Sequence, residues 1–207
     1  MALLTMLGKA WLMLSQHIEI IKQFANLIMV TKFKHQIRQA TEKDHVNIAK
    51  VSTICWQQAY KGIFSDAFLQ GIDWQPRVGF REKFYAENKQ VTGFVAEVDE
   101  QIVGFCDTGP ALAVEDRPDI ANNYGEIYAL YVLQDFHRQG IGAALFQAAC
   151  EYLIKQGFAR CIIWSLEANA AGIKFYEIVG CTQQRWYKTK TVENKPSREV
   201  AFTIDLL

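Results

Sequence analysis

In this 207-residue chain, the stretch whose residue types and spacing could hold a charged ligand is Arg138-Gln139-Gly140-Ile141-Gly142-Ala143. Two glycines one residue apart remove the Cβ atoms that would keep a ligand off the backbone. A helix opening at this point leaves its first N–H groups without intrahelical partners, and its dipole turns its positive end the same way. The combination suits a phosphate or pyrophosphate. The flanking sequence supplies both supports. Residues 125–132 are rich in β-branched, aromatic and aliphatic side chains, as a buried strand would be. From about Gly142 onward, Leu145, Phe146, Ala149, Cys150, Leu153 and Ile154 recur at helical spacing and predict a helix that buries one face.

A strand, a glycine-rich turn and a helix could form a dinucleotide-binding unit. That unit would want a third glycine where this chain has Leu145, and an acidic residue closing the next strand, a place Glu167 fills only loosely. The stretch resembles more closely the GNAT superfamily of acetyl-CoA-dependent N-acetyltransferases, in which a strand precedes Gln/Arg-x-x-Gly-x-Gly/Ala at the start of a helix. The second half of that family's pattern follows about thirty residues on, as Leu166-Glu167-Ala168-Asn169-Ala170-Ala171-Gly172-Ile173-Lys174-Phe175-Tyr176-Glu177-Ile178-Val179-Gly180. Two matches in the right order and spacing identify the chain as a member far better than one glycine motif would.

The resemblance implies an α/β (α+β) fold. It would have a mixed, mostly antiparallel sheet of six or seven strands, helices on both faces and a splayed central pair. It also implies acetyl-CoA as co-substrate, with no metal. The backbone of Leu130, Tyr131 and Val132 would bond the pantetheine and the acetyl carbonyl. The backbone from Arg138 through Gln139, Gly140, Ile141 and Gly142 to Ala143 would hold the pyrophosphate, and Asn169 would contact the cofactor. Tyr176 matches the tyrosine that protonates the departing thiolate, a role a neutral phenol can fill. Glu126 is the candidate general base, and its alternative is a salt-bridged or surface carboxylate. Three departures stand out: His137 in the first place of the glycine motif, Cys181 where phenylalanine is usual, and Trp164 where relatives that acetylate protein N termini carry a glutamate.

Twenty-two basic and twenty-two acidic residues cancel, and no basic run is present, which argues against nucleic acid as the partner. Five widely spaced cysteines with no C-x-x-C read as small buried hydrophobes in a reducing, cytoplasmic setting. The histidines show no zinc spacing. The acceptor would be a primary amine of a small molecule or peptide. A homodimer is a frequent form in the family.

Residues 1–32 carry an apolar seam from Leu4 to Ile28 and predict an amphipathic helical extension ahead of an acetyltransferase domain at 33–207. Packing on the domain or a partner, lying on a membrane surface, and being an upstream extension are its three readings. Lys9, Glu19 and Lys22 break any run long enough to span a bilayer. Next come a strand at 33–39 and a helix from Thr41, with a Thr41-x-x-Asp44 cap, to near Tyr60. Trp56, Tyr60 and Phe64 mark its exit as core aromatics or, by the resemblance, acceptor contacts. Two short helices follow at 65–71 and 76–87, and then a hairpin around Asp99-Glu100. A loop at 110–124 carries Glu115, Asp116 and Asp119. A terminal hairpin turns at 194–197. A non-catalytic acyl-CoA-binding module of the same fold is the competing reading of the whole.

Overall fold

Turn chemistry sets the frame. The computed structural model describes residues 35–114 and 117–207. Asp99 and Glu100 both adopt positive φ (48° and 64°), as do Glu193 and Asn194 (53° and 59°). Two successive left-handed residues make the tight turn whose twist matches a pair of antiparallel strands. The first turn joins β2 (Thr92–Val98) to β3 (Gln101–Pro110), and the second joins β6 (Thr182–Val192) to β7 (Lys195–Asp205). The second turn thus lies ahead of the expected 194–197. Pro196 sits inside β7 opposite Thr191, where β5 does not reach, so its missing N–H costs the sheet no bond.

The remaining elements in chain order are β1 (Gln36–Gln39), α1 (His45–Ala59), α2 (Asp66–Gln70), α3 (Gln75–Glu87), α4 (Pro118–Asn123), β4 (Gly125–Val132), α5 (Ile141–Lys155), β5 (Arg160–Leu166) and α6 (Ala170–Ile178). Helix α4 falls in a stretch read from sequence as loop. Glu115 and Asp116 of that stretch, the helix expected over 1–32, and the first two residues of the expected 33–39 strand lie outside the described residues. The Thr41 cap forms, with the Thr41 N–H donating to Asp44 Oδ2 at 2.7 Å, and Arg38 braces the same carboxylate.

The seven strands form one sheet in the order β1-β2-β3-β4-β5-β7-β6, antiparallel everywhere except β4 with β5. Helices cover both faces. On one face, Leu145, Phe146, Ala149 and Leu153 of α5 are sealed against Ala96, Cys106, Ile127, Ile163 and Phe202, with Tyr176 of α6 in the same cluster. On the other face, Ile48, Val51 and Cys55 of α1 pack on Val95 and Phe105. Beside them Arg81 of α3 donates to both carboxylate oxygens of Asp107 and to the Tyr85 hydroxyl, pinning α3 to β3 through a buried ion pair.

The parallel pair carries the feature that matters for function. β4 and β5 pair only over Gly125–Cys161, Glu126–Ile162 and Ile127–Ile163, although β4 runs on to Val132 and β5 to Leu166. A bulge leaves Tyr128 unmatched, because Ile127 faces Thr108 and Ala129 faces Asp107. A bulge bends its strand and sharpens the local twist. Beyond it the two strands part and leave an open seam at the sheet's centre.

Candidate active site

The seam is lined by backbone that the sheet does not use. Leu133 N–H bonds Val103 O at 2.8 Å, which fixes the alternation along the end of β4. Residues 129, 131 and 133 bond β3, whereas Leu130 and Val132 turn their amides toward the seam. This corrects one expectation: the Tyr131 backbone is engaged with Phe105 across β3 and is not available to a ligand. The carbonyl of Val132 is also taken, since His137 Nε2 donates to it at 2.8 Å. The histidine that replaces the motif's long polar residue therefore folds back onto β4.

At the mouth of the seam lies the glycine loop. Arg138 and Gly140 both have positive φ (58° and 82°), and Gly140 is the N-cap of α5. The first backbone donor satisfied within the helix is Ala144, which bonds Gly140 O at 2.9 Å. The N–H groups from Arg138 to Ala143 have no backbone acceptor among the described residues. A run of free amides at the start of a helix is suited to binding an anion. Gln139 stiffens it, its Nε2 donating to Asp135 O at 3.1 Å, while its Oε1 is sealed without a partner. The side chains of Ile141 and Ala143 point into the core.

Gly142 has a different job from the one its spacing suggests. An added Cβ would lie 3.1 Å from Phe175 Cε2, so the missing side chain lets α5 meet α6. Asn169, expected to touch a cofactor, caps α6: its Oδ1 accepts from the Gly172 N–H at 3.0 Å.

Tyr176 is buried between Phe175 and Phe202, with ring centroids at 5.4 and 5.6 Å. Its hydroxyl bonds no described residue, yet it is not one of the sealed polar atoms lacking a partner. Burial pushes the phenol well above its ordinary pKa, so it stays protonated. Burial acts on the thiols too, pushing Cys181 of the same cluster and Cys55 on the other face up to about 12 and Cys106 and Cys161 well upward.

Glu126 sits on the opposite face, in the paired base of the seam, and makes no contact with Tyr176. It is 4% exposed, and its Oε2 accepts from the Leu112 N–H at 2.9 Å. Burial raises its pKa, and the Leu112 bond and the Lys188 charge only partly oppose that. Trp56, Tyr60 and Phe64 form one aromatic cluster with Phe68, packed with Leu166 and Val192. Tyr60 and Tyr131 share a hydroxyl–hydroxyl bond of 3.1 Å that joins this cluster to β4.

Sequence reasoning missed a further buried carboxylate, Glu199. Glu199 of β7 stands opposite Leu166 and Lys188 and holds Lys188 Nζ at 3.5 Å and Lys190 Nζ at 2.5 Å. Lys188 also lies 4.6 Å from the Trp164 ring. The available signal was a lone acidic residue beside the apolar run Val200-Ala201-Phe202, with two lysines alternating on the facing strand. At the hairpin's tip, Glu193 accepts from the Ser65 N–H at 3.2 Å and from its hydroxyl, tying β6–β7 to the start of α2.

Comparison with known proteins gives a consistent result. The model of the acetyltransferase (GNAT) family matches residues 55–181. The uncharacterized N-acetyltransferase YuaI of Bacillus subtilis is 30% identical over 143 residues, covering 68% of this chain and 76% of that protein. The PaiA N-acetyltransferase of Thermoplasma acidophilum, solved in complex with coenzyme A, superposes with a TM-score of 0.60 at 18% identity, over 83% of this chain and 99% of that one. YncA from Salmonella typhimurium, solved with its cofactor acetyl-CoA, gives 0.62 at 16% identity, over 83% and 94%.

Proposed function

The chain belongs to the GNAT acetyltransferase family, and from that premise we propose that it transfers the acetyl group of acetyl-CoA to a primary amine of a small molecule or peptide by direct attack in a ternary complex. The observation that carries this reading is the open seam between β4 and β5 together with six loop amides that have no backbone acceptor among the described residues. An extended pantetheine suits a gap between strands, and a pyrophosphate suits a cradle of amides. The residues present therefore fit acetyl-CoA as substrate. Loop amides 138–143 would hold the diphosphate, and the Leu130 and Val132 amides the arm and the carbonyl. Asn169 would act mainly by fixing the start of α6, which carries Tyr176.

In the proposed reaction an amine nitrogen attacks the thioester carbonyl, a C–N bond forms and the C–S bond breaks. An amide donor on β4 steadies the oxyanion. The thiolate takes its proton from Tyr176. Burial raises phenol and thiol alike, so Tyr176 is still protonated when the thiolate forms and can donate to it. The amine must first lose a proton. Glu126, with its raised pKa and its place on the acceptor face, is the base, acting through water. Trp56, Tyr60 and Phe64 form the acceptor wall.

The deciding experiment incubates the full chain with acetyl-CoA and an amine panel and follows free thiol. Release that depends on amine is expected, together with a rise in melting temperature caused by acetyl-CoA and not by NAD(P). Binding without thiol release on any amine would instead make the chain an acyl-CoA-binding module.

A further inference from the structure

The half-buried cations near the sheet share one habit, with a single exception. Arg38 holds Asp44 and Glu97, Arg81 holds Asp107, and Lys188 and Lys190 hold Glu199. Arg77 of α3 holds no carboxylate among the described residues. Its Nη1 donates to Ser52 Oγ at 3.1 Å, and its guanidinium lies 5.2 Å from the Trp56 ring. The ionisable groups acting on it are the hydroxyls of Tyr60 and Tyr131, and burial lowers its pKa. It faces a groove of about 550 Å³ between α2 and α3, walled by Ala67, Phe68, Ile72, Pro76 and Phe80. Asp73 also borders this groove, but its carboxylate accepts from the Gln75 N–H at 3.1 Å and stands beyond ion-pair distance of Arg77.

An unpaired guanidinium partly removed from water has a strong claim on an anion, and its planar fork matches a carboxylate. Its position is informative too. Trp56 packs edge-on against Tyr60 at 4.7 Å, and Tyr60 reaches Tyr131 on the β4 arm of the seam, so two rings, Trp56 and Tyr60, connect Arg77 to β4. We propose that Arg77 pairs with a carboxylate carried by the acceptor, so that the amine acetylated belongs to an amino-acid-like molecule and not to a polyamine or a simple alkylamine. This rests on the transferase reading above and deepens it.

The test uses the full chain with matched sets, namely amino acids, their amides and the corresponding decarboxylated amines. Acids are expected to exceed amides in kcat/KM by about tenfold or more, the worth of a charge-assisted bond. Arg77→Gln should erase that ratio, Arg77→Lys should restore part of it, and both should keep the wild-type Kd for CoA, which excludes misfolding as the cause. Amides equal to or better than acids, a ratio untouched by Arg77→Gln, or a preference for amines bearing phosphate would each overturn the proposal. Calorimetric titration of the acids into CoA-loaded protein separates the two levels. Binding that depends on Arg77 without thiol release sustains the carboxylate site while removing the transferase reading, whereas no binding and no turnover removes the site.

Discussion

In the proposed reaction, two side chains on opposite faces of one sheet would divide the proton traffic. Tyr176 is expected to give its proton to the leaving thiolate, so Tyr176→Phe should lower kcat on the order of 10²-fold while the Kd for CoA stays nearly constant. Single-turnover thiol release with a parallel CoA titration checks this, and an unchanged rate would remove the phenol from the chemistry. Its hydroxyl bonds no group among the described residues, so deleting it leaves none of those groups unsatisfied. Glu126 makes a prediction in pH. Its carboxyl is raised by burial, so the base becomes available only above the ordinary glutamate range, and the rate should climb as pH rises through that shifted value. Glu126→Gln should flatten this limb. The stability sign is opposite. A carboxyl whose folded pKa lies above its unfolded value favours the fold at low pH and loses that contribution as pH rises through the folded pKa. The glutamine variant should therefore melt higher than the wild type at neutral pH, with the gap closing in acid. A variant that melts lower at neutral pH would mean that the Leu112 bond outweighs the desolvation.

At the scale of elements, the meeting of α5 with α6 links the glycine loop to the phenol. A methyl group at residue 142 would press on Phe175 at 3.1 Å, and Phe175 is the ring neighbour of Tyr176. Gly142→Ala should be tolerated with a small loss. Gly142→Val should push α6 off α5, lowering the melting temperature and raising the Kd for CoA together, by about 1–3 kcal/mol of overpacking. Calorimetric melting and CoA titration check the pair, and a weakened Kd at full stability would return the residue to direct anion contact. This also shows how far the chain could be read unaided. Apart from α4, the order of strands and helices was legible because alternation and 3.6-residue spacing are local signals. The work of Gly142 was not, because Phe175 lies thirty-three residues away in the chain. The last turn was misplaced for a similar reason. Asn194-Lys195-Pro196-Ser197 has turn chemistry, but the hairpin protrudes past its neighbour and so tolerates a proline within the strand. Glu199 and Arg77 escaped notice because a charge reveals its purpose only through its partner, or through the lack of one.

For the molecule as a whole, the sheet is a closed structure on its flanks and an open one at its centre. The outer pairs β2–β3 and β5–β7 are bonded along nearly their whole length, while β4 and β5 share three positions before they part. A ligand that supplies the missing partner to the seam and the loop would couple α5, β4 and α6 into one cooperative unit. Acetyl-CoA at a hundred times its Kd should add about 2.7 kcal/mol to the unfolding free energy. Its distribution is the sharper test, and hydrogen exchange can read it amide by amide. The Leu130, Val132 and 138–143 amides, which have no backbone partner among the described residues, should slow markedly when acetyl-CoA binds. The Tyr131 amide between them is already bonded to β3 and should slow no more than the sheet average. The hairpin of β6 and β7, held at its tip by Glu193 and Ser65, should respond to the acceptor and not to acetyl-CoA. Uniform protection of 130, 131 and 132 would mean that β4 shifts register on binding, and protection confined to the hairpin would place the ligand elsewhere. An alternating pattern along β4 next to a continuous one along the loop is the signature expected of a thioester arm lying in the seam with its diphosphate on the loop amides.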